Sequence, residues 1–298
     1  IFSLWKKLIN VSNAGSDTNG DGSSGSPFKT IQYAIEHANT SSGDTILVAV
    51  GTYAENINFR GKNIIIGSLT LTTGDKSYVS QTIIDGGSPS NSDSASVVTF
   101  IGGETSAAKL IGLTLQNGNG LLISDIRYGG GIYTKSSNPS LKHLIIKNNA
   151  NSSNSDNLYG GGIYFGKKSD AFLDSSVVIN NGKANDFGRG GGIYIDSYSD
   201  VTLDSIIVYN NKAEWGGGIY TPSKIIQTKP VIKRVEIISN DQGYRTTFKL
   251  ISFFTRNFFN WFKFSTAKSI FFFDFFSHRS PVYQFFIWGL LLIDLIAF

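Results

Sequence analysis

The chain has 298 residues, a formal charge of +4 and only 16% charged side chains. It has no Cys and three His (His37, His143, His278), which excludes disulfide frameworks, thiol catalysis and Cys-ligated zinc. Residues 244–298 carry 6 basic and 2 acidic residues, which is the whole charge excess, so no general basic field for nucleic acid is indicated.

The composition also divides the chain. Of 33 Gly, 32 lie in residues 1–243, whereas 15 of 22 Phe follow Tyr244. Gly this frequent, without a triplet period, indicates a turn-rich β fold. There is no Met, so the chain reads as processed or as a fragment.

Residues 26–38 read as one helix. Ser26 is the expected N-cap and Pro27 the first helical residue. Phe28, Ile31, Ala34, Ile35 and Ala38 then share a face, and Gly43 lies just beyond the end. The first strand is expected at once, over Thr45–Val50, with a turn at Gly51.

An internal repeat follows. Gly-Gly-Gly-Ile-Tyr begins at Gly129, Gly160, Gly190 and Gly216. After each comes a second motif, in which an apolar residue leads to an alternating run ending in Asn. The leading column reads Leu110, Leu141, Leu173, Leu203 and Ile232. The fourth (Leu113, Leu144, Ser176, Ile206, Val235) and sixth (Leu115, Ile146, Val178, Val208, Ile237) face inward. The fifth (Thr114, Ile145, Val177, Ile207, Glu236) tolerates a charge and faces outward. These segments are too short and too β-branched for helices. One unit cannot bury its own apolar face, but stacked units can, which predicts an all-β solenoid. At roughly 25 residues per coil, about eight coils would stack at the ~4.8 Å strand spacing. Asn149, Asn181, Asn211 and Asn240 would hydrogen-bond from coil to coil, as would Asn148, Asn180 and Asn210. The helix would cover the open sheet edge at the N-terminal end. This gives three regions: an entry segment with capping helix (1–43), the repeats (44–243) and an aromatic tail (244–298).

Val11-Ser12, Gly15-Ser16-Asp17 and Ser26 to Ile35 resemble the entry segment of secreted right-handed parallel β-helix proteins with the pectin-lyase-like fold. So do Gly43 to Val48, Gly51 to Ile57 and Thr82 to Gly87. The glycine and asparagine repeats are also similar to those of polymorphic outer-membrane proteins. The resemblance covers roughly residues 10–243. It implies a right-handed solenoid, export to the medium or cell surface, and polysaccharide or a cell-surface component as partner. The family holds lyases, hydrolases and non-catalytic adhesins, so catalysis stays open. No signal peptide is visible in Ile1–Asn10, and an earlier segment would have to supply one.

Three clusters could carry chemistry. Asp174 and Asp204 occupy one outward column in adjacent coils, between Lys142 and Lys233, and Asp170 and Asp200 stack three residues before the leading Leu. Like charges so placed repel unless a cation or flanking Lys offsets them. The resemblance then implies Ca²⁺ with Lys142, Lys233 or Arg234 as base, and His143 beside them; the plain alternative is a charge ladder neutralised by its own lysines. Asp17, Asn19 and Asp21 match half of an EF-hand loop, but Phe28 stands where the bidentate Glu belongs. Tyr133, Tyr164, Tyr194 and Tyr220 follow inward isoleucines, so they stack outward, either against sugar rings or as cross-strand pairs. A fourth pattern, Gly161, Gly166-Lys167-Lys168, nearly matches a P-loop but lacks the Ser/Thr and any following helix.

The tail fits none of this. Its apolar run from Phe285 is interrupted by Asp294 and is too short to span a bilayer, which needs about 20 residues. It reads as a truncated membrane anchor, an amphipathic surface segment, or a frame or assembly artefact. The abrupt break in mid-repeat favours the last.

The expected function is extracellular binding of polysaccharide or a surface partner through the coil flank. The alternatives are a calcium-dependent polysaccharide lyase, a glycoside hydrolase, and an adhesin-type stalk.

Overall fold

The computed structural model describes residues 6–150, 157–183, 188–222 and 230–242. The tail from 244 onward, with its three readings, lies outside the described residues. Among the described residues, no helix is long and apolar enough to cross a membrane.

The chain winds as a right-handed parallel β-solenoid of about 6 turns. Each complete coil contributes one short strand to each of three faces. The first face stacks Leu8–Val11, Thr45–Val48, Ile65–Ser68, Lys109–Ile111, Ser140–Lys142 and Phe172–Asp174. The second stacks Gly51–Ala54, Thr82–Asp85, Thr114–Gln116, Ile145–Lys147 and Val177–Ile179. In the last two described coils, Thr202–Tyr209 and Val231–Ile238 run unbroken through both faces. The third face has six strands, from Ile57–Asn58 to Ile219–Tyr220. Among the described residues the first face therefore has eight strands, the second seven and the third six, so about 6 turns are complete on all three sides; ladder asparagines recur after 32, 30 and 29 residues, not about 25.

The aligned columns become strand register. Thr114 pairs with Ile145, Ile145 with Val177, Val177 with Ile207, and Ile207 with Glu236. The leading, fourth and sixth columns fill the buried interior, joined by Ile132, Ile163 and Ile193 from the third face. Between the first two faces sits a residue of positive φ in every repeat: Gly112, His143, Ser175, Ser205 and Arg234. Only Gly112 holds that conformation without steric cost. Asn117, Asn148, Asn180 and Asn210 take the same conformation at the far end of the second face. The glycine triplet turns the chain onto the third face. Gly160 has φ +73°, and a Cβ on Gly161 would lie 2.5 Å from the Gly191 carbonyl oxygen, so both positions need glycine.

The N-terminal end departs from expectation in three ways. A strand, Leu8–Val11, precedes the helix and pairs with Thr45–Val48. The helix covers only Ile31–Glu36, with Thr30 as N-cap in place of Ser26. Phe28 is buried outside the helix in a bridge to Val11, and Ala38 is exposed. The cause is Asp17. Its Oδ1 accepts from the Lys29 and Thr30 amides at 2.8 and 3.0 Å, which holds Thr30 in the extended conformation of the N-cap. The next strand also ends early, at Val48, and Gly51 opens a second-face strand.

A smaller sheet lies outside the coils. Gly120–Ile123 and Ile126–Tyr128 form an antiparallel hairpin through Ser124 and Asp125, flanked by Ser94–Ala95 and Asn157–Tyr159. Two short helices, Thr70–Thr73 and Tyr78–Gln81, interrupt the third coil.

Candidate functional site

The charged column forms as the spacing requires. Lys142 pairs in register with Asp174, Asp174 with Asp204, and Asp204 with Lys233. Each carboxylate already has a basic partner. Lys142 Nζ lies 3.0 Å from Asp174 Oδ2. Arg234 donates from Nε and a terminal nitrogen to Asp204 Oδ1, at 2.7 and 2.6 Å. The neighbouring hydroxyls of Ser175 and Ser205 donate to Asp174 and Asp204 at 2.8 and 3.1 Å. Burial alone would raise the Asp174 carboxyl, but Lys142 and Ser175 outweigh it and hold the group below its ordinary value. His143 is pushed down by burial and by the nearby Lys76 and Lys142 ammonium groups.

Asp170 and Asp200 also stack, as backbone supports. Asp170 Oδ1 accepts from the Asp200 amide at 2.7 Å, and the Asp170 amide donates to Asn138 Oδ1. In the entry loop, Asp17 Oδ2 accepts from Thr30 Oγ1 at 2.8 Å, and Asp21 Oδ1 from the Ser23 amide at 2.8 Å. Asn19 stands in the same turn, its amide donating to Ser16 Oγ. Among the described residues, no three acidic or histidine side chains gather as a cation-binding group. The carboxylates offered for calcium are thus spread over two ladders and a helix clamp. Gly166, Lys167 and Lys168 form a turn with no helix after it.

The tyrosine column stacks as expected but is not an open face. Tyr133, Tyr164 and Tyr194 are only 3%, 7% and 4% exposed. They form a second apolar cluster with Leu121, Tyr128, Tyr159 and Tyr220, separate from the solenoid interior. The outer sheet supplies the cover: Tyr128 packs edge-on against Tyr164 at 4.8 Å, and Tyr159 lies parallel to Tyr194 at 5.1 Å. Alternation placed these rings outside their own sheet correctly. What lies across from them comes from a hairpin that is not part of the repeat.

Four of the exposed apolar side chains stand on either side of the charged column. Phe172 and Val231 flank it on the first face, at 37% and 42% exposure. Ile207 and Tyr209 flank it across the corner, at 40% and 39%. The outer side of the last described coils is therefore a polar ladder between two apolar margins. Sequence reasoning did not single out these four residues. The signal was present in the outward fifth column, which holds Ile145, Val177 and Ile207 where a solvated strand would be polar.

Fold and surface together define a parallel solenoid with a self-neutralised outer face. Residues 90–248, more than half of the chain, match the family model described as "Right handed beta helix region", and the chain belongs to that family. Residues 13–60 match a second model, described as "Protein of unknown function (DUF1565)". No curated protein matches the chain. Among solved structures it is similar to a pectin methylesterase in complex with hexasaccharide VII, at 18% identity and TM-score 0.42, covering 80% of this chain and 67% of that one. It is also similar to a deglycosylated pectin methylesterase from Aspergillus niger (12%, TM-score 0.35, 83% and 92%) and to carrot pectin methylesterase (14%, 0.36, 80% and 90%). At such scores the likeness carries nothing about chemistry.

Proposed function

We propose that the protein is an exported, cell-surface or secreted solenoid that binds polysaccharide on the outer side of its last described coils, without turning it over. The carrying observation is the ladder of Lys142, Asp174, Asp204 and Arg234 between the exposed Phe172, Val231, Ile207 and Tyr209. A pyranose ring has apolar C–H faces and a polar rim. Tyrosine and aliphatic margins suit the faces, and fixed charges with satisfied geometry suit the rim. A catalytic carboxylate would instead have to break an ion pair with its neighbour in the ladder. Binding in this form needs no cation.

Affinity electrophoresis of the full chain in gels loaded with uronate and neutral polysaccharides tests the reading. Retention by at least one glycan is expected, weakened about tenfold or more by Tyr209→Ala or Phe172→Ala, as for an exposed aromatic contact. A parallel assay follows ultraviolet absorbance of unsaturated products with calcium and with chelator. Calcium-dependent absorbance lost in Asp204→Ala would replace this reading with a lyase. Retention by no glycan would leave the stack as a stalk.

A further inference from the structure

The tyrosine cluster has no part in glycan binding, yet its geometry is ordered along the solenoid axis. Tyr133, Tyr164, Tyr194 and Tyr220 follow one another at ring-centroid separations of 5.5, 5.2 and 5.3 Å. The first pair is parallel to within 5°. Charge is distributed unevenly over these rings. The Arg189 guanidinium lies 5.3 Å from the Tyr159 centroid and 5.6 Å from that of Tyr220. In the middle of the column, Tyr164 Oη donates to Asp196 Oδ2 at 2.6 Å. That is the length of a charge-assisted O–H···O⁻ bond.

We propose that the column is a hole relay, with Tyr164 as the residue on which the hole settles. A high-potential one-electron oxidant, of the class of metal-oxo species or ruthenium(III) polypyridyl complexes, removes an electron from a ring of the column. The vacancy passes between rings in van der Waals contact. An oxidised phenol is a strong acid, so the vacancy settles where a base is already aligned. At Tyr164 the O–H bond breaks, the proton moves along its hydrogen bond to Asp196 Oδ2, and the electron fills the vacancy on the neighbouring oxidised ring. The product is a neutral tyrosyl radical facing a protonated carboxyl group. A one-electron reductant reverses both transfers.

The electrostatics slope the same way. The Arg189 charge is attracted by the neutral rings of Tyr159 and Tyr220 but opposes a positive vacancy on either. The Asp196 carboxylate favours one beside Tyr164. The chain has no Cys, so no thiolate competes for the oxidant. The effect is protective: oxidising equivalents end on a buried, reversible site instead of on exposed rings such as Tyr198.

Flash-quench oxidation of the full chain with ruthenium(II) tris(bipyridine) and a cobalt(III) acceptor tests this. Electron paramagnetic resonance and transient absorption identify and time the radical. The expected result is a neutral tyrosyl radical whose lifetime falls about tenfold or more in Tyr164→Phe and in Asp196→Asn, the scale of one lost hydrogen bond to a charged group. Tyr198→Phe should leave it unchanged. Equal lifetimes in wild type and Tyr164→Phe would overturn the proposal, as would loss of the signal in Tyr198→Phe. Tyr164→Phe keeps the ring in the stack, so it decides the matter even if Asp196→Asn folds poorly. Glycan retention by Tyr164→Phe is expected to equal wild type, which separates failure of the relay from failure of the binding reading.

Discussion

Asn181 shows how much one repeated residue carries. It is fully buried, and all four of its side-chain hydrogen-bonding positions are used. Oδ1 accepts from the Asn149 amide and Nδ2, both at 3.0 Å. Nδ2 donates to Asn211 Oδ1 at 3.0 Å and to the Ile146 carbonyl at 2.9 Å. Asn149 and Asn211 repeat the pattern above and below. Asn181→Asp keeps the shape but removes both donors and sets a carboxylate oxygen against two acceptors. It should lower unfolding stability by about 3 kcal/mol or more, read from the denaturant midpoint. A change under about 1 kcal/mol would mean that the ladder contributes packing and not hydrogen bonding. The repeat made these residues legible in the sequence: the same type, at the same offset, before the same turn. The exposed Phe172 and Tyr209 were not legible, because neither recurs in its column.

Among the elements, the short helix is the least able to stand alone. Six residues cannot nucleate independently, so its start is held by side chains from elsewhere. Glu55 Oε1 and Oε2 accept from the Ile31 and Gln32 amides at 2.9 and 2.8 Å, while Asp17 holds Thr30. The sequence signal of Ser26 and Pro27 misplaced this start because the partners that set it lie 13 and 24 residues away. Burial raises the Glu55 carboxyl above its ordinary value of 4.5, more than the Gln32 and Ile31 amides lower it, and Asp17 adds to the rise. The folded state therefore binds this proton more tightly than the unfolded chain. Stability from this group is fully present below the ordinary value and is lost as pH rises through the raised one. Glu55→Gln cannot ionise, so its melting temperature relative to wild type should climb across that window. Parallel curves for the two proteins would show that the amides fully offset the burial. The hairpin was missed for a related reason: Ser124 and Asp125 take φ +49° and +62°, a two-residue turn that usually advertises itself with Asn-Gly.

At the scale of the whole solenoid, each described strand of a coil pairs with strands of the adjacent coils, so stability should be local along the axis. The entry segment around Phe28 allows this to be tested by opening an end. Phe28 seals it: the ring is buried, bridges to Val11, and lies 5.0 Å from Tyr33 and 4.8 Å from His37. Phe28→Ala should cost about 3–5 kcal/mol in the coils it covers. Hydrogen exchange reads where that loss falls. Amides of Ile46 and Ile66, in the first coils, should exchange much faster. Those of Val178 and Val208, several coils away, should keep wild-type protection, because the asparagine ladder and the tyrosine cluster lie between or beside them. Uniform loss of protection from Ile46 to Val208 would mean that the solenoid unfolds as one cooperative body. The outer sheet would then have to be what couples the coils, since the hairpin Gly120–Tyr128 and the strand Asn157–Tyr159 bridge tyrosines from successive turns.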